Sequence, residues 1–261
     1  LCVELQFMGV LDGAGHKITG YTSTEGGLIH MNAGTIKNLG MEAAGVEAPS
    51  ASNIGILCNT NSGVIEGCYT TGSISGQATT GGVVGYLNGT IRDCYSTARV
   101  SSSARQAGGV VGISGRGSTT LRCYATGSVS ADANAGGITG YTYATTNVSG
   151  NFALNASVTA PTQYAHRVAA RTLGSEIANI GANFAWSDMP VSKTEETVTR
   201  FASLMGEGKS LEEIHSQDTF QTGLGWDFGT VWQGDETAQR PVLKNCTEKT
   251  DETPTLPQDE N

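Results

Sequence analysis

The chain has 261 residues, only 15% of them charged, with 36 glycines and a formal net charge of −9. That length suits one all-β domain or two smaller ones, and no run of about 18 apolar residues is present to cross a bilayer. The acidity is concentrated after Asp188. Between Gly63 and Tyr141 the acids are Glu66, Asp93 and Asp132, against Arg92, Arg99, Arg105, Arg116 and Arg122, and no basic stripe forms, which excludes nucleic acid as a partner.

In chain order, Phe7-Met-Gly-Val-Leu-Asp12-Gly-Ala-Gly-His-Lys-Ile18 reads as a first coil turning through Asp-Gly, on a chain that opens at Leu1 in mid-coil. With no signal peptide ahead of it, that opening reads as a trimmed fragment or a processed form. Gly34-Thr-Ile36-Lys-Asn-Leu39-Gly-Met and Asn53-Ile-Gly55-Ile-Leu then introduce a phrase that recurs clearly three times. Ile65-Glu-Gly-Cys68-Tyr69 leads to Gly81-Gly82-Val-Val-Gly85-Tyr; Ile91-Arg-Asp-Cys94-Tyr95 leads to Gly108-Gly109-Val-Val-Gly112-Ile; Leu121-Arg-Cys123-Tyr124 leads to Gly136-Gly137-Ile-Thr-Gly140-Tyr. Asn151-Phe152 and Asn183-Phe184 keep the Cys-Tyr slot further on.

A period of about 26–29 residues signifies stacked units, since one such unit cannot bury its own apolar face. Within each unit the apolar residues form short β-branched and aromatic clusters bounded by turn formers, with no helical periodicity. Three short strands per unit describe a parallel β-helix of about seven coils over 1–190, roughly 30 Å long at the strand spacing. Cys68, Cys94 and Cys123 then stack as one ladder and Tyr69, Tyr95 and Tyr124 as another. Adjacent strand residues face opposite sides, so the cysteines are placed inside and the tyrosines outside. Ile65 and Cys68 are three apart, which demands a corner or bulge between them. Leu121 and Cys123 are two apart, so that corner is expected to differ. The glycine pairs provide either positive φ or close backbone approach.

After Trp186 the pattern changes to a small mixed cap over 191–244. Ser192-Lys-Thr-Glu195 and Ser210-Leu-Glu-Glu213 fit helix capping boxes. Val198, Phe201, Ala202 and Met205 fall at helical spacing, and Leu211 with Ile214 begin a second short helix. Leu224-Gly-Trp226-Asp-Phe228, Val231-Trp232 and Arg240-Pro-Val-Leu243 supply bulky groups expected to cover the open edge of the last coil. The polar, acidic stretch 245–261 reads as a disordered tail or linker, with Cys246 exposed in it.

These phrases resemble the GLUG repeat of large bacterial surface proteins, among them adhesin-like proteins and the N-terminal regions of IgA-specific metallopeptidases. The flanks 7–18 and 224–243 are similar to the usual opening and closing segments of such proteins, so the likeness spans roughly residues 5 to 244. It implies a right-handed β-helix, a bacterial source and an exported, cell-surface location, and it implies no defined ligand or cofactor. The zinc signature His-Glu-x-x-His of a peptidase is absent, and His16, His30, His166 and His215 are scattered.

The candidate chemistry is correspondingly modest. Cys68, Cys94 and Cys123 read most simply as small core residues; Cys2 with Cys58 is the favoured bridge if an exported chain forms one. No Cys-x-x-Cys metal spacing occurs. An outward Tyr69–Tyr95–Tyr124 strip, with Arg92 and Arg122 beside it, could stack on sugar rings, although cross-strand pairing explains the same residues. Glu66 and Asp93 are the rung acids that a glycoside-hydrolysing β-helix would need. The reading is a non-catalytic, exported module for adhesion, ligand presentation or spacing, with host glycan or mucosal protein as the partner class. A carbohydrate-active β-helix enzyme, or the accessory part of an IgA-type metallopeptidase, stands as the alternative.

Overall fold

The computed structural model describes residues 3–173, 179–192, 202–235 and 240–246. The chain winds as a right-handed parallel β-helix. Two sheets hold seven strands each, one per coil. The first includes Ile29–Asn32, Cys58–Asn61, Val84–Leu87, Val111–Ser114 and Thr139–Tyr143; the second includes Thr35–Lys37, Val64–Glu66, Thr90–Arg92 and Thr119–Leu121. A third sheet carries Tyr69–Gly76 and its equivalents, and a five-stranded sheet runs Asn53–Gly55, Thr79–Gly81, Gln106–Gly108, Asn134–Gly136, Tyr164–His166.

Equivalent residues stack in register. Ile36, Ile65, Ile91, Thr120 and Val148 form one buried inward ladder, and Val46, Ile74, Val100, Val129 and Val158 another. The cysteine ladder lies inside, as the alternation of strand faces requires. Cys68, Cys94 and Cys123 are fully buried free thiols, and the Cys68 amide donates to the Cys94 sulfur at 3.4 Å. Asn151 and Asn183 continue the column, joined by a 3.0 Å side-chain hydrogen bond, with the Cys123 amide donating to Asn151 Oδ1 at 2.9 Å. That bonding allows asparagine where the upper coils place sulfur.

The corner between the Ile and Cys ladders is a single left-handed residue. Asn38, Gly67, Asp93, Arg122 and Gly150 occupy it with φ of 50°, 58°, 52°, 50° and 66°. One such residue reverses which face the next side chain takes, and so resolves the odd spacing of three. The expected difference at Leu121 does not occur. Ile91 pairs with Thr120 and Arg92 with Leu121, so Thr120 takes the inward slot and the corner is the same as in its neighbours.

The glycine pairs act by close approach. None of Gly81, Gly82, Gly108, Gly109, Gly136 or Gly137 has a positive φ. A Cβ on Gly82 would lie 2.0 Å from the Gly109 carbonyl oxygen, and one on Gly109 would lie 2.1 Å from that of Gly137. The backbones of successive coils touch there, and any side chain would wedge them apart.

The C-terminal part departs from expectation in where it lies. Helix α1 (Ala202–Met205) and the strand Glu207–Lys209 do meet the last coil: the Leu204 carbonyl accepts from the amides of Val168 and Ala169, and the strand pairs with Phe184–Trp186. Helix α2 (Leu211–Ile214) starts on Ser210 with the capping box in place, and α3 (Gln217–Leu224) ends on Gly225 at φ 70°. Beyond α3, however, the chain turns along the flank and runs back toward the first coils. Its antiparallel hairpin, Trp232–Asp235 with Arg240–Leu243, lies over the tyrosine column, and a Cβ on Gly15 would meet the Asn245 carbonyl oxygen. The Ser192 hydroxyl accepts from the Ala160 amide at 2.8 Å. Glu195, Val198 and Phe201 lie outside the described residues, as do Cys2 and 247–261.

Replacing Gly109 with alanine is expected to destabilise the fold by about 1–3 kcal/mol through overpacking. Gly234→Ala, where nothing lies within 4 Å of the added carbon, is expected to melt with the parent. Paired thermal melts check both.

Candidate functional site

The tyrosines proposed as a binding strip stack as an outward column but are not exposed. Tyr69 and Tyr95 lie 5.1 Å apart and Tyr95 and Tyr124 4.8 Å apart, both pairs 7° from parallel, and all three are fully buried. The cap covers them. Trp232 packs 6.0 Å from Tyr124 and 4.5 Å from Trp226, while Trp226 Nε1 donates to the Gly150 carbonyl at 2.8 Å. Tyr124 donates its hydroxyl to the Pro241 carbonyl at 2.7 Å, Tyr69 donates to Glu42 at 2.7 Å, and the buried Arg240 guanidinium lies over the Tyr95 ring. A column of large rings facing water is the apolar surface that the cap tryptophans bury, so this face is a second core and not a ligand site. The expected exposure of Cys246 is corrected by the same contact: it is 1% exposed and points at the His16 carbonyl. Burial, with Cys68 and Glu42 nearby, pushes its thiol up to about 12, and burial raises Cys94 well above the ordinary thiol range.

Arg92 and Arg122 are not poised for a ligand either. Asp12, Lys37, Glu66 and Arg92 stack in register as a ladder of alternating sign. Arg92 Nε donates to Glu66 at 2.9 Å, and Arg122 grips Asp93 with two bonds of 2.7 Å. Asp93 raises the Arg122 pKa further through that pairing. A small depression of about 190 Å³ lies between this ladder and the cap.

A different surface has the character of a site. Tyr86, Ile113 and Tyr141 stack in register on the first seven-stranded sheet; both tyrosines are half-buried, and Tyr143 sits edge-on to Tyr141 at 5.4 Å. Facing them, Asn53, Thr79, Gln106, Asn134 and Tyr164 stack on the five-stranded sheet. The third glycine of each phrase lets these walls meet. A Cβ on Gly85 would strike the Ile54 amide at 2.5 Å, and one on Gly140 the Ala107 carbonyl at 2.6 Å. Two adjoining depressions of about 600 and 410 Å³ result, and they share Ala104, Arg105, Gln106 and Tyr143. Desolvation raises the phenol pKa of Tyr86 and of Tyr141. Sequence reasoning passed over this groove, although its signal was present: each Gly-Gly-x-x-Gly phrase is followed by Tyr86, Ile113 or Tyr141. Among the described residues no cluster of His, Cys, Asp and Glu suited to a metal occurs, and no helix is long and apolar enough to cross a membrane.

Residues 76–101 match the family model of the GLUG motif. The chain carries that motif. A solved structure described as "a putative immunoglobulin A1 protease from Bacteroides ovatus" shares the fold, with a TM-score of 0.71 at 24% identity over 90% of this chain and 77% of that chain. No curated protein matches the chain.

Trp232→Ala is expected to cost about 3–5 kcal/mol and to open the segment 202–246 to proteolysis while the coils hold. Alkaline melts test the Cys94 and Cys246 thiols. Their pKa is raised only in the folded chain, which therefore keeps protons that the unfolded chain loses. Stability is expected to be full below pH 9 and to fall as pH rises from there toward 12.

Proposed function

We propose that this chain is a non-catalytic β-helical module of an exported bacterial surface protein, holding a partner molecule along its flank. The observation that carries this reading is the state of the rung acids. Acid–base hydrolysis of a glycoside needs two carboxyl groups facing one cleft, one of them available as an acid. Here Glu66 is tied to Arg92 and Asp93 to Arg122, each pair joining neighbouring coils. The GLUG motif and the fold likeness to a protein described as an immunoglobulin A1 protease support the exported, surface context. They also favour a second reading, in which the module is the accessory region of such a peptidase and orients a host glycoprotein for a catalytic domain elsewhere.

Incubating the purified chain with mucin polysaccharides and with immunoglobulin A is expected to give saturable binding to at least one and cleavage of neither. Release of reducing ends that disappears in Glu66→Gln or Asp93→Asn would contradict the proposal and favour the carbohydrate-active enzyme.

A further inference from the structure

We propose that the groove between Ile113, Tyr141 and Tyr143 on one side and the Gln106–Asn134 column on the other is a carbohydrate site that takes an extended oligosaccharide parallel to the helix axis. This rests on the binding-module reading above and names the ligand class of that module.

The lining selects for sugar. One wall offers an aliphatic and an aromatic face in register on neighbouring coils, Ile113 beside Tyr141, about 5 Å apart at the strand spacing, with Tyr143 edge-on to Tyr141. One pyranose residue of an extended chain advances by nearly one coil, so successive rings meet successive rungs. The other wall offers amides. Asn134 is only 6% exposed and lines the groove. Gln106 is half-buried and lines both depressions, so its amide is placed to exchange hydrogen bonds with sugar hydroxyls. Arg105 borders both depressions, and among the described residues it makes no ion pair. A sugar carboxylate would give it a bidentate partner.

Other ligand classes fit less well. An extended peptide binds by adding a strand to an open sheet edge, whereas these walls are faces of strands already paired on both sides. An apolar ligand would leave the amides and the guanidinium dry and unpaired. A pyranose has both an apolar C–H face and a rim of hydroxyls, which is the combination the two walls present.

The test is a calorimetric titration of the intact chain with defined oligosaccharides of two kinds, one neutral and one bearing uronic acids, at concentrations up to millimolar. Saturable binding is expected to at least one. Tyr141→Ala and Asn134→Ala are each expected to weaken it about tenfold, Tyr141→Phe to retain it, and Arg105→Ala to weaken the acidic series alone. Circular dichroism melts confirm that each variant folds, and Arg92→Ala, in the charge ladder, is the control expected to bind as the parent does. No saturable binding in either series overturns the proposal, as does binding indifferent to Tyr141→Ala and Asn134→Ala in folded variants. If the chain still captures mucin or immunoglobulin A in that case, the binding-module reading stands and only the groove assignment fails.

Discussion

The structure depends on the direct approach of one coil's backbone to the next. Gly82 lies under Gly109 and Gly109 under Gly137 so closely that a methyl group would meet a carbonyl oxygen at about 2 Å. Because the spacing is set by backbone and not by side chains, the strand positions of one coil fall on the equivalent positions of the next. The ladders follow from that: isoleucines over isoleucines, sulfur over sulfur, asparagine bonded to asparagine. Even the surface charges obey it, since Asp12, Lys37, Glu66 and Arg92 alternate in sign along one register. Like charges so stacked would repel at strand distance, and alternation turns the same geometry into attraction.

Stacking also creates a liability, and the C-terminal segment answers it. A phrase that repeats Tyr after Cys places three large rings in one outward column. Left in water, that column would be a continuous apolar stripe of the kind that promotes association. Trp226 and Trp232 cover it, Phe220 covers Phe152 in the next coil, Arg240 lies over the middle ring, and Tyr124 reaches the Pro241 carbonyl. The molecule therefore has two cores, one inside the coil and one between coil and cap. The groove is formed differently: its aromatic residues, Tyr141 and Tyr143, lie beside Ile113, flanked by amides, and are only half-buried, so it presents a mixed surface where the tyrosine column presents an apolar one.

Much of the fold was legible in the sequence because the repeat exposes its own physics. The period announces stacking, and the Cys-Tyr neighbours announce opposite faces. The register was less legible. Leu121 looks like the partner of Ile65 and Ile91 by chemistry, yet Thr120 takes that slot because the left-handed corner residue is always the one before the Cys ladder. An Arg in that corner, where Gly67 and Gly150 also sit, hides the equivalence. The destination of the cap was not legible at all. Tryptophans near a C-terminus say that something apolar is to be covered, but the terminal coil and the tyrosine flank are both candidates by composition. The same limit concealed the site: outward Tyr69 and outward Tyr86 look alike in sequence, and only the path of residues 226–246 decides that the first is buried.

The most direct test of the stacked account is a set of spin-label distances along one outward ladder, Val10, Thr35, Val64, Thr90, Thr119 and Asn147, whose members pair in sequence. With one label on the exposed Val10, partners at Thr90, Thr119 and Asn147 should lie about 14, 19 and 24 Å away, rising by one strand spacing per coil. Distances that fail to increase by that step, or that coincide for the three partners, would contradict it.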